Sequence, residues 1–350
     1  MLRQLHIVAG VAGCFALAFA GVSSRAQACT AFLLERQGGR VVGKSYDWHM
    51  GHGLVLVNKR GVAKRALTIR PDDAPVAWTS RHGSLTFNQF GREFPNGGMN
   101  DAGLVVEVLW LDGSVYERRD ARPALNELQW IQYQLDNFAR VADMKAAASA
   151  VRVSPVYAEV HYLACDAGGG CAAFEFLGGN LRVTPGARVL TNHSHQDSVA
   201  WTARHPKSVA GLGSLERFAR TARGVAAPAA GEVVPAAFAL LDGVRGRASQ
   251  WNIVYEPGAR RVHFRTRVSP QIKSIDLGKL ATACASPMQM LDIDADEGGD
   301  ATARLRPYSG EINRQFVERS LRTMGGARQL PAGASELVAA YPATLTCGAR

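Results

Sequence analysis

Cys29 stands directly after Ala26-Gln27-Ala28 and directly before Thr30–Glu35, a run that reads as a β-strand. That placement constrains the fold more than any other feature of the chain. Residues 1–28 carry Arg3 near the start, an almost wholly apolar stretch over 7–22, and a small-x-small step at Ala26 and Ala28, the pattern of a cleaved export signal. A cut there would make Cys29 the first residue of the mature chain, with no tether before the first strand. An uncleaved anchor is the competing reading, and the small-x-small step disfavours it. No second apolar run of about 18 residues follows, so no stable membrane insertion is expected. The expected location is exported, periplasmic or secreted.

The cysteine count sets Cys29 apart. With Cys14 removed in the signal, five remain: Cys29, Cys165, Cys171, Cys284 and Cys347. An odd number in an exported chain leaves one thiol unpaired. The other four allow three pairings. Cys165 and Cys171 flank Asp166-Ala167-Gly168-Gly169-Gly170, a hairpin-like turn, and a Cys284–Cys347 bridge would tie down the tail, so these two pairs are expected. An unpaired Cys29 at a new N-terminus would hold a nucleophilic thiol and a free α-amine in one residue. An amine of near-neutral pKa can serve as base for its own thiol.

Removing residues 1–28 leaves 322 of 350 residues, enough for one large mixed domain over 29–350. The signal segment holds two arginines and no acid, so the net charge falls from +10 to +8. The basic residues are scattered, which gives no support to nucleic-acid binding. Strand-like runs are Thr30–Glu35, Arg40–Tyr46, Leu54–Lys59, Leu85–Gln89, Leu104–Leu109, Val160–Cys165, Ala172–Leu177, Val189–Thr191, Asn252–Tyr255 and Val262–Arg265. Helices are expected over Pro123–Phe138, Ala142–Val151, Leu215–Arg223 and Glu311–Thr323, and an exposed loop over Asp292–Thr302. Strands with helices between them, without regular alternation, point to an α+β fold or a layered αββα arrangement.

A group of short motifs carries a resemblance. Cys29-Thr30-Ala31-Phe32, followed by Val42-Gly43-Lys44-Ser45-Tyr46-Asp47-Trp48, resembles the start of the choloylglycine hydrolase and penicillin V acylase family, N-terminal-nucleophile amidases of αββα fold. The likeness continues through Asn96–Leu104, Val108-Leu109-Trp110, Leu128–Tyr133, Val189–Asn192, Glu216-Arg217-Phe218 and Trp251–Tyr255, in order and over most of the mature chain.

The resemblance implies roles for single residues. The Cys29 thiol would attack an amide carbonyl, with its α-amine as base, and Asp47 would orient that amine. Asn192 and the backbone N–H of Trp110 would face the developing oxyanion, and Arg217 would bring positive charge near the thiol. Lys44 stands where many members carry arginine; it keeps the charge but not the planar fork. Trp48 and Trp110 fall where the Gram-negative branch lines its acyl pocket, which favours an aromatic or fatty acyl group. Only 24 residues lie between Asn192 and Arg217, whereas Gram-positive bile-salt hydrolases carry a longer insertion there that helps build their tetramers. Homo-oligomer formation is left open. No cofactor is implied, and His49, His161, His193 and His195 do not form a credible metal set.

The leading reading is an exported cysteine amidase acting on a small-molecule amide. Penicillin V and N-acyl-homoserine lactones head the substrate classes, and conjugated bile salts follow. The rival is a lipid-anchored binding protein with a modified Cys29, which the missing lipobox and tether disfavour. A folded, inactive family member that only binds ligands is a third reading.

Overall fold

The computed structural model describes residues 29–37, 39–207, 210–228, 231–324 and 333–348. The expected signal, residues 1–28, lies outside the described residues. The first strand, β1 (Thr30–Arg36), pairs antiparallel with β2 (Gly39–Asp47), setting Thr30 opposite Ser45. These two form the heart of a seven-stranded sheet. Val189–Leu190 lies outside β1; Ser249–Glu256, Arg261–Thr266, Lys273–Asp276 and Gly299–Asp300 follow beyond β2. A second, nine-stranded sheet runs Asn180–Pro185, Cys171–Leu177, Val160–Cys165, Val105–Trp110, Pro95–Asn100, Ser84–Asn88, Leu54–Asn58, Gln289–Asp292 and Arg306–Pro307.

The two sheets stack face to face. Alternate side chains of β1 serve two cores: Ala31 and Leu33 pack between the sheets, while Phe32 and Leu34 turn outward. A strand covered on both faces reads as an unbroken apolar run, as Ala31–Leu34 does. Outside the first sheet, Phe32 and Leu34 meet Phe218 of α4 (Ser214–Ala226) and Phe238 of α5 (Val233–Gly243). Outside the second, Val106 and Tyr162 meet Trp130 and Ile131 of α1 (Glu127–Asn137). The result is the four-layer αββα sandwich.

Four further helices complete the set among the described residues: α2 (Val141–Ala146), α3 (His195–Arg204), α6 (Gly310–Thr323) and α7 (Ala334–Ala340). None of the described helices is long and apolar enough to cross a membrane. The expected disulfides are both present, Cys165–Cys171 across the hairpin and Cys284–Cys347 at the tail, and Cys29 stays outside them.

Several expected boundaries are corrected. The first helix starts at Glu127, not Pro123. Ala124 and Leu125 are drawn into a parallel pair with Arg152 and Val153, and Asn126 caps the helix by accepting from Leu128 N and Gln129 N. The expected helix over Ala142–Val151 stops at Ala146. Helix α5 escaped notice because Pro235 reads as a breaker, although it stands in the first turn, where it is tolerated. The strand Pro95–Asn100 escaped because Gly97-Gly98 reads as a turn. Both glycines answer to close approach: a Cβ on Gly97 would lie 2.3 Å from Glu107 Oε2, and one on Gly98 2.5 Å from Leu85 O. The expected loop at Asp292–Thr302 buries Ile293 and Ala301 completely and adds Gly299–Asp300 to the first sheet.

Candidate active site

Cys29 sits at the head of β1, only 4% exposed. The β1–β2 register carries Asp47 alongside it, and the Cys29 thiol lies 3.9 Å from Asp47 O. Burial pushes the thiol above its ordinary pKa. The charge of Lys44 opposes this most, ahead of that of Arg217. Asp47 is fully buried; Ser45 Oγ donates to its Oδ1 at 2.7 Å, while Oδ2 accepts no bond of good geometry among the described residues. Burial raises the Asp47 carboxyl as well, eased by the nearby hydroxyls of Ser249 and Ser45 and the charges of Arg217 and Lys44.

Arg217 projects from the first turn of α4 and is 1% exposed. Its Nη1 donates to Cys29 O (2.5 Å) and Thr30 Oγ1 (2.6 Å), its Nη2 to Asn192 Oδ1 (2.8 Å) and its Nε to Leu212 O (3.0 Å). One guanidinium fork thus ties the cysteine backbone to Asn192. Ser214, at the start of the same helix, accepts from Asn192 N at 2.8 Å.

Asn192 Nδ2 donates to Trp110 O at 2.8 Å. Leu111 N donates to Glu159 O, so the ladder's alternation turns the N–H and C=O of Trp110 and Val108 to the opposite edge of their strand. There the neighbouring strand pairs only as far as Gly97 opposite Glu107. The exposed edge is used by side chains: Asn192 takes Trp110 O, and Lys44 Nζ takes Val108 O. The Trp110 N–H therefore lies on the same edge as the Asn192 amide.

Lys44 crosses from β2 to the other sheet, wholly buried, and its Nζ also lies 3.7 Å from Glu107 Oε2. Tyr255 donates to Glu107 Oε1 at 2.5 Å. Burial pushes the Glu107 carboxyl up to about 7, against the pull of Lys44 and of the Tyr255 hydroxyl.

Above Cys29 opens a cleft of about 1090 Å³, counting its mouth, with almost wholly apolar walls. Trp48 and Trp110 line it together with Cys29, their rings 5.8 Å apart. The N-terminus of α1 fastens two of its rims. Glu127 accepts from the backbone N–H groups of Val156, Tyr157 and Ala158 at 2.8–2.9 Å. Asn126 Nδ2 donates to Leu67 O, and Gln129 Oε1 accepts from Leu67 N.

The fold therefore gathers all the residues singled out from sequence: Cys29, Lys44, Asp47, Trp48, Trp110, Asn192 and Arg217. Arg217 meets the backbone carbonyl of Cys29, and Lys44 is the stronger positive influence on the thiol. The four histidines do not come together. His49 and His193 are exposed, and His161 is buried 2.7 Å from Thr191 O and 3.1 Å from Glu175 Oε1. No metal-binding cluster of His, Cys, Asp and Glu exists among the described residues. Glu107 and Glu127 went unnoticed in the sequence, since nothing local distinguishes an inward carboxylate from one in solvent.

No family model matches the chain. It is 23% identical over 258 residues, 59% of this chain and 69% of the other, to penicillin V acylase from Pectobacterium atrosepticum. The structure of penicillin V acylase from Agrobacterium tumefaciens superposes with a TM-score of 0.72 at 25% identity, covering 80% of this chain and 98% of that one. A variant of conjugated bile acid hydrolase from Clostridium perfringens shares the fold, with a TM-score of 0.63 at 16% identity over 77% of this chain and 98% of that one. With the four-layer sandwich and the ordered motifs, these likenesses support the choloylglycine hydrolase and penicillin V acylase family as the one this chain is similar to.

Proposed function

We propose that the protein is an exported cysteine amidase that hydrolyses linear amides carrying an apolar acyl group, of the penicillin V acylase or N-acyl-homoserine lactone acylase type. The observation that carries this is the single guanidinium of Arg217 joining Asn192 Oδ1 to the backbone carbonyl of Cys29, a residue that lines the apolar cleft. Cleavage before Cys29 frees an α-amine, to which Asp47 offers the unpartnered Oδ2 as acceptor. The raised pKa of the buried thiol leaves little thiolate at neutral pH, so a base has to act during attack.

The amine takes the thiol proton as Cys29 Sγ attacks the acyl carbon. The oxyanion is met by the second N–H of the Asn192 amide and by the Trp110 N–H; a donor of this kind supplies about 3 kcal/mol in the transition state. The proton then passes to the leaving nitrogen, the amine departs and a thioester remains. Water, losing a proton to the α-amine, attacks the thioester; the acid leaves and the thiol regains its proton. No step calls for a metal or cofactor.

The apolar cleft and paired indoles favour a flat aromatic or fatty acyl group over the bile-salt alternative. A lipid-anchored role has less support, because Cys29 leads straight into β1 (Thr30–Arg36) with no flexible tether between them. The test is a hydrolysis panel of penicillin V, short- and long-chain acyl-homoserine lactones and glycocholate on protein whose intact mass begins at Cys29. Turnover lost in Cys29→Ser with the fold intact supports the reading. Full activity in that variant, or a diacylglycerol mass on Cys29, refutes it.

A further inference from the structure

The cleft draws on several parts of the fold. Cys29, Trp48 and Trp110 come from the two central sheets, whereas a separate wall comes from the C-terminal helices α6 and α7 through Leu321, Met324, Leu337 and Val338. This second wall offers aliphatic side chains only. Leu337, 52% exposed, stands at the edge of this wall.

The wall is held in place with care. Asn313 of α6 accepts from Arg92 N at 2.8 Å, and a Cβ on Gly91 would meet Val317 at 2.5 Å, so helix and turn are in close contact. Tyr341, directly after α7, donates to Arg65 O at 3.0 Å and sets its ring edge-on to Phe94 of the cleft. Thr346 and Cys347 then pair with Ala63 and Val62, and the Cys284–Cys347 disulfide closes the tail.

We propose that the α6–α7 wall reads the length of the acyl chain, receiving the distal methylenes of an unbranched acyl group whose carbonyl lies at Cys29. This rests on the acyl-amidase reading above. Flexible methylenes suit an aliphatic wall, and a half-exposed leucine at its edge gains most from a chain long enough to reach it. Leu337 and Val338 are then specificity-determining residues, and the disulfide holds the gauge at its setting.

The experiment is a series of straight-chain N-acyl-homoserine lactones from butanoyl to dodecanoyl, assayed with the mature enzyme, Leu337→Glu, Val338→Trp and the double variant Cys284→Ser/Cys347→Ser. The expected wild-type kcat/KM climbs with chain length. In Leu337→Glu and Val338→Trp the dodecanoyl-to-butanoyl ratio falls at least tenfold, mainly through KM, and the cysteine variant shows a flatter length dependence. Ratios unchanged from wild type, or a uniform loss at every length, overturn the inference. If wild type hydrolyses none of the series, penicillin V and glycocholate are assayed beside it, and the amidase reading fails only if these too are untouched; binding of decanoate and dodecanoate, followed by tryptophan fluorescence, then judges the wall. Binding weakened at least tenfold by Leu337→Glu upholds it, and equal binding removes it.

Discussion

Arg217 Nη2 donates to Asn192 Oδ1 at 2.8 Å, and this bond decides which way the asparagine amide points. A guanidinium has no acceptor, so it must face the amide oxygen, which sends Nδ2 toward Trp110. The same group holds Cys29 O. Cys29 and the Asn192 amide are thus aligned by one buried side chain.

Arg217→Lys keeps the charge but cannot span both partners. We expect kcat to fall by ~10²–10³-fold with a smaller change in KM, the size associated with losing one oxyanion donor. Steady-state kinetics with a phenoxyacetyl amide measures it. A loss confined to KM would show that Arg217 does not align Asn192.

Glu107 gives a prediction about pH. Burial raises its carboxyl to about 7 from an ordinary 4.5. A proton held more tightly in the folded state stabilises that state. The contribution is whole below about 4.5 and is lost as pH rises through about 7. The unfolding free energy of wild type minus that of Glu107→Gln should therefore decrease between pH 4.5 and 8 in urea titrations. A difference that grows over that range contradicts the assignment.

Gly97 makes room for that carboxylate, its hypothetical Cβ falling 2.3 Å from Glu107 Oε2. Gly97→Ala should destabilise the fold by ~1–3 kcal/mol, the usual cost of overpacking. In a Glu107→Ala background the same substitution should cost much less. Additive effects in this double-mutant cycle would mean the two positions do not compete for space.

Glu127 holds three consecutive backbone N–H groups of a cleft rim. Glu127→Gln places an NH₂ group where an acceptor is needed and should lower stability by ~2 kcal/mol. The larger signature is in KM, because the released rim carries Val156, Tyr157 and Ala158 of the cleft lining. An unaltered KM alongside a lowered Tm would confine Glu127 to a structural role.

Local sequence made much of the molecule legible. Ala31–Leu34 is apolar at successive positions because it is buried on both faces, and the odd number of cysteines beyond the expected signal singled out Cys29 before any partner was visible. The ordered motifs named the residues that gather around it. What local pattern could not give was the pairing of elements far apart in the chain. That Lys44 reaches Val108 O, that Arg217 holds Asn192 by its oxygen, and that α6 and α7 wall the cleft all follow from how the sheets stack and where the tail docks. Periodicity records whether a side chain is buried; only the tertiary structure decides against what.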